Sequence, residues 1–245
     1  MSRSSFLKIF TIGALAIYSS CAYAKIGIVF LHGLGGNAQS CKEWINFALK
    51  SGIRTNAEQC AVYIPEAKNN SWFDVNPLLP DLIRISDPSN QTPENIGSLL
   101  NKIKDMAPQF RHLKSEIQHF MKREGISIEN LHFVGYSQGG ILAQLLAYSL
   151  PESCGSLCFA GCPWIWMPGE KIQKPLSIVM AINKDDPYFG NVYSYSRNMF
   201  MQKVGAIWFR NAVHEVISQE GGHEISHAAM VAGTQHFKEI LKLDS

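Results

Sequence analysis

The chain has 245 residues, enough to bury one sizeable core, and its apolar share of 46% is ordinary for a globular protein. The formal net charge is +2, from 22 basic and 20 acidic residues with no dense basic block. That distribution lacks the electrostatic footprint of a nucleic-acid binder, so no nucleic-acid partner is expected.

The first residues differ from the rest. "MSRSSFLK" carries Arg3 and Lys8, "IFTIGALAIY" is a short apolar run, and Ala22-Tyr23-Ala24 places small residues two apart. This is the order of a secretory signal, and the run is well short of the roughly 20 residues a membrane span needs. Residues 1–24 are therefore expected to be a cleaved signal peptide and residues 25–245 a single domain. The mature protein is expected to be exported, periplasmic or secreted, with no stable membrane insertion.

From Lys25 the elements follow in order. "KIGIVF" is predicted to be a strand, "LHGLGGN" a glycine-rich turn, "KEWINFALK" a helix and "CAVYIPEA" a second strand. The stretch from Asn69 to Pro93 holds four prolines and no clean period, so it is predicted to be a long loop. Residues 94–123 have a helical pattern interrupted near Pro108. "LHFVG" is a third strand and "QGGILAQLLAYSL" a helix. "SLCFAG" and "LSIVMAI" are buried strands and "VYSYSRNMFMQKVG" is a helix. "AIWFRNAVHEVIS" contains a strand of undetermined register, and "SHAAMVAGTQHFKEILKL" is the closing helix. Strands alternate with helices and read as apolar runs, which predicts a mainly parallel sheet covered on both faces, a three-layer α/β domain.

Export permits disulfides. Five cysteines follow residue 24: Cys41, Cys60, Cys154, Cys158 and Cys162. The odd number leaves at least one unpaired within the chain. Cys158 and Cys162 on one strand would lie roughly 13 Å apart, too far to bridge. Cys41 with Cys60 stays open as a pair, and buried thiols are expected elsewhere.

"GYSQG", Gly135 to Gly139, fits G-x-S-x-G. Alone the match is weak, but this motif needs a strand before it and a helix after it, and both are predicted here. Ser137 would then sit on a strained turn, with the Gln138 N–H at a helix N-terminus where a developing oxyanion is favoured. A serine hydroxyl needs a base, and in this fold the order is Ser, then Asp or Glu, then His. Asp185 and Asp186 follow the strand "LSIVMAI", and His223 lies in "EGGHEIS" before the last helix. His214 and His227 are its rivals, expected to be a strand residue and a helix-surface residue. "HGLGG" after the first strand can aim a second N–H at the same oxyanion. No G-K-S/T or G-x-G-x-x-G follows it to make a phosphate loop.

Together "LHGLGG", "SWFD", "GYSQGG", "DDP" and "GGHEIS" resemble the acyl-protein thioesterase and carboxylesterase (lysophospholipase-type) family of α/β-hydrolases. They span Leu31 to Ser226 in the family's order. The resemblance implies Ser137 as nucleophile, His223 as general base and Asp186 as the orienting acid, with Asp185 its rival because "INKD" replaces the family's His-Gly-Asp-like run. It implies oxyanion donors at Leu34 and Gln138, and Trp72 and Phe73 as apolar walls of an acyl groove. The implied partner is a small-molecule acyl ester or a lysophospholipid, with no cofactor and no metal.

Two readings from other classes remain to be weighed. His223 to His227 fits H-E-x-x-H, the zinc-hydrolase signature, which requires both histidines on one helix, a turn apart. Gly221 and Gly222 disfavour helix there, and Ser226 is a good N-cap for a helix starting at His227. The other reading is a non-catalytic binding protein on the same fold, which the ordered Ser, Asp and His argue against.

Overall fold

In β1 (Ile26–Leu31) every residue is buried, and alternate side chains enter two different cores. Val29 and Leu31 join one apolar cluster, while Ile26, Ile28 and Phe30 join the other. This period-two split makes the strand apolar throughout. The computed structural model describes residues 25–50, 59–106, 110–150, 154–165, 176–205 and 212–241. The expected signal at residues 1–24 lies outside them.

Five further strands complete the sheet: β2 (Cys60–Tyr63), β3 (Leu131–Tyr136), β4 (Ser156–Ala160), β5 (Ser177–Asn183) and β6 (Val213–Ser218). Their order is β2-β1-β3-β4-β5-β6 and every pairing is parallel. The register of β6, undetermined from sequence, places Val213 opposite Ile178 and Ser218 opposite Asn183.

The helices are α1 (Ala38–Lys50), α2 (Leu79–Ser86), α3 (Pro93–Asp105), α4 (Arg111–Glu124), α5 (Gln138–Tyr148), α6 (Gly190–Val204) and α7 (His227–Leu241). Trp44 and Ile45 of α1 and Phe237 and Ile240 of α7 pack with Ile28, Val134 and Val179 on one face. The other face carries Leu99 and Ile103 of α3, Ile117 and Phe120 of α4, Leu142 and Leu145 of α5 and Phe200 of α6. Three layers result, as expected for an α/β-hydrolase fold. No helix among the described residues is long and apolar enough to cross a membrane.

Three expectations need correction. The stretch from Asn69 to Pro93 is not one loop: it holds α2 and short 3-10 turns at Asn76–Leu78 and Pro88–Asn90. Pro80 falls in the first turn of α2, where its missing N–H costs nothing, so it starts a helix instead of breaking one. Buried Leu78 and Ile85 anchor that segment, and the buried Asp81 carboxylate pairs with Lys102 Nζ at 2.5 Å. Strand β2 stops at Tyr63 instead of running to Ala67, because Pro65 has no N–H for the ladder. Cys41 and Cys60 do not pair: all five cysteines from Cys41 to Cys162 are free and buried.

Candidate active site

Ser137 is the single residue between β3 and α5. Its backbone sits at φ 53°, ψ −118°, which a β-carbon disfavours, costing on the order of 1–3 kcal/mol. Hydrogen bonds hold the turn: Ser137 N–H donates to Ala160 O of β4 at 2.8 Å, and Ile141 N–H donates to Ser137 O at 3.0 Å. The flanking glycines are required by space. A β-carbon on Gly135 would lie 2.3 Å from Gly139 O, and one on Gly139 would lie 2.2 Å from Leu31 O.

His223 reaches this serine from the loop between β6 and α7. Its Nε2 lies 2.7 Å from Ser137 Oγ, and its Nδ1 lies 2.7 Å from Asp186 Oδ2. An ionised carboxylate only accepts, so Nδ1 carries the ring proton; in the neutral ring Nε2 then accepts from the serine hydroxyl. The other oxygen of Asp186 accepts the Tyr188 and Phe189 N–H groups at 2.8 and 3.0 Å. Asp186 is 4% exposed, so these bonds fix a buried carboxylate. Tyr136 packs beside the imidazole, and its O–H donates to His223 O. Burial, with the Asp186 and Glu224 charges adding, pushes the Tyr136 phenol up to about 12, so it remains a donor.

The rival groups lie elsewhere. Asp185 accepts the Gly221 and Gly222 N–H groups and does not bond the imidazole. His214 is an exposed residue near the start of β6, at the opposite end of that strand from the His223 loop. His227 is the first residue of α7, its ring edge-on to Phe47 at 5.6 Å. The helix begins there because Ser226 caps it, its Oγ accepting Ala229 N–H at 3.1 Å. His223 and His227 therefore do not share a helix, and the H-E-x-x-H arrangement is not formed.

The glycine turn after β1 lies against the serine. A β-carbon on Gly33 would meet the Tyr136 ring at 2.9 Å and Ser137 Cβ at 3.4 Å. Gly35 N–H donates to Asn70 O and Gly36 N–H to Gly33 O. Among the described residues, neither the Leu34 N–H nor the Gln138 N–H has a hydrogen-bond partner. Two supporting roles were invisible in the sequence. Buried His32 accepts Ala67 N–H on Nε2 at 3.1 Å, so its Nδ1 donates to Gly33 O at 2.7 Å and shapes the turn. Gln138 uses its side chain as well as its backbone: Oε1 accepts Trp72 N–H and Nε2 donates to Phe73 O, each at 2.8 Å.

That clamp positions the "SWFD" segment. The Trp72 indole packs on His32 with centroids 4.6 Å apart, and its Nε1–H donates to His32 O at 2.7 Å. Phe73 is buried in the core against Phe110, so of the pair Trp72 is the one with accessible surface.

A parallel sheet, a strained strand-to-helix serine and a histidine hydrogen-bonded to both that serine and a carboxylate are the features of the α/β-hydrolase class. The profile of the phospholipase/carboxylesterase family matches residues 13–241, and the chain belongs to that family of carboxylic ester hydrolases. No curated protein matches the chain significantly. Among solved structures, esterase PE8 is similar with TM-score 0.61 and 20% identity, covering 89% of this chain and 93% of that one. The phospholipase/carboxylesterase of Dyadobacter fermentans gives 0.56 and 19%, covering 86% and 89%. SOBER1 of Arabidopsis thaliana gives 0.56 and 18%, covering 89% and 100%. At these identities the structural likeness speaks to the fold.

Proposed function

We propose that the protein is a serine carboxylesterase acting through a Ser137-His223-Asp186 triad and an acyl-enzyme. The observation that carries this reading is the unbroken hydrogen-bond chain from Asp186 Oδ2 through the imidazole to Ser137 Oγ, with both contacts at 2.7 Å. His223 Nε2 takes the serine proton as Oγ bonds to the ester carbonyl carbon. The resulting oxyanion would be held by the Leu34 and Gln138 N–H groups, which have no hydrogen-bond partner among the described residues: Gln138 follows Ser137 in the chain, and Leu34 follows Gly33 on the turn that lies against it. The imidazolium protonates the leaving oxygen as the C–O bond breaks. Water, deprotonated by His223, then releases the acid and restores Ser137.

Small, soluble acyl esters are the favoured substrates, with lysophospholipids next. Trp72 would bound the acyl side of the site, with Phe73 supporting it from the core. Residues 1–24 would direct export; N-terminal sequencing of secreted material reads Lys25 first if so, and Met1 if not. A panel of p-nitrophenyl esters and lysophospholipids, with fluorophosphonate labelling of Ser137, tests the activity. Hydrolysis without labelling at Ser137 would contradict it.

A further inference from the structure

Asp185 and Asp186 are neighbours in sequence whose carboxylates go to different places. Asp186 bonds the His223 imidazole, whereas Asp185 bonds the backbone that carries it. Its Oδ2 accepts Gly221 N–H at 3.0 Å and its Oδ1 accepts Gly222 N–H at 2.8 Å. These glycines adopt φ 141° and 59°, turning two successive N–H groups toward one anion, a concavity that suits a carboxylate.

The other side of the loop is held too. Asn183 Nδ2 donates to Gly222 O at 2.9 Å and to Glu224 O at 2.8 Å, and Tyr136 O–H donates to His223 O. A β-carbon at Gly221 would fall 2.7 Å from Asn183 Nδ2, so glycine lets the loop approach the end of β5. From Gly221 to Glu224 the chain has no helix or strand of its own. Its shape is set by these bonds, four of the five from the end of β5 and the turn after it, which also supplies Asp186.

We propose that Asp185 is a positioning residue: its carboxylate clamps the Gly221–Gly222 backbone so that His223 Nε2 stays on Ser137 Oγ. The proposal rests on the triad reading above. The clamp is solvent-exposed, so without it water can satisfy both N–H groups. Removing it should therefore cost little stability while letting the imidazole sample positions off the serine, where displacements of about 1 Å slow reactions steeply.

The test compares Asp185→Ala, Asp185→Asn and Ser137→Ala with the parent on p-nitrophenyl acetate, counting competent sites by fluorophosphonate titration. Asp185→Ala should lose about tenfold in kcat per competent site with KM within about twofold. Its melting temperature should stay within about 2 °C of the parent. Asp185→Asn keeps one acceptor oxygen and should fall between the two; it also supplies the comparison if the alanine variant does not fold. A kcat per site within about twofold of the parent in the folded variant, with Ser137→Ala inactive, overturns the clamp alone. Turnover persisting in Ser137→Ala overturns the triad reading beneath it.

Discussion

Asp186 Oδ2 lies 2.7 Å from His223 Nδ1, while its other oxygen is held by the Tyr188 and Phe189 N–H groups. The carboxylate is fixed before it meets the imidazole, and it selects the tautomer that leaves Nε2 free to accept from Ser137. Asp186→Asn would present an amide in its place and favour the wrong tautomer. The expected loss is about 10⁴-fold in kcat on a p-nitrophenyl ester. Asp185→Ala loses far less under the clamp proposal, so the two neighbours separate in one assay. Equal losses would contradict the division of roles.

The serine turn depends on glycine for space. In Gly139→Ala the new methyl would lie 2.2 Å from Leu31 O, a backbone atom that cannot move without shifting β1. Overpacking against backbone should destabilise the protein by about 3 kcal/mol, read as a lower urea midpoint. An unchanged midpoint would mean that α5 and β1 are not as close as described.

Gln138 separates backbone from side chain. Gln138→Met keeps the Gln138 N–H but strips the Trp72 N–H and Phe73 O of their partner. Leaving these groups unsatisfied should cost about 2 kcal/mol by urea denaturation. A loss under about 0.5 kcal/mol would place the side chain outside the clamp.

Acid should weaken the fold through a buried histidine far from the serine. His132 bonds Ser156 Oγ through Nδ1, while its Nε2 is buried without a partner beside Gly155. Burial, with nearby His236 adding, lowers its pKa from 6.5 to about 4. Burial lowers His236 as well. Between these limits the unfolded chain binds more protons than the folded one, so stability rises with pH. The His132 contribution is present above pH 6.5 and is lost as pH falls toward 4, on the order of 3 kcal/mol in all. Urea midpoints should drop from pH 7 to pH 4.5, and His132→Gln should reduce that slope. A slope unaltered by the substitution would contradict the assignment.

Much of this architecture is legible in the residues, for identifiable reasons. The strands show because burial on both faces makes them apolar runs, as in β1 and β5. Ser137 shows because its motif demands a preceding strand and a following helix. The separation of His223 from His227 shows because Gly221 and Gly222 resist helix and Ser226 caps one. Helix α2 is hidden because Pro77 and Pro80 resemble breakers until their place at a helix start is known. The parts played by His32, the Gln138 side chain and Asp185 are hidden for another reason. Each binds the backbone of a distant segment, and a backbone acceptor or donor leaves no mark on the residue type opposite.

The most direct test of the central claim is turnover of a p-nitrophenyl ester by Ser137→Ala, with circular dichroism to show that it folds. The account predicts loss of hydrolysis by about 10⁴-fold or more and no fluorophosphonate labelling, with the parent's spectrum retained. Hydrolysis at the parent's rate by the folded variant would contradict it.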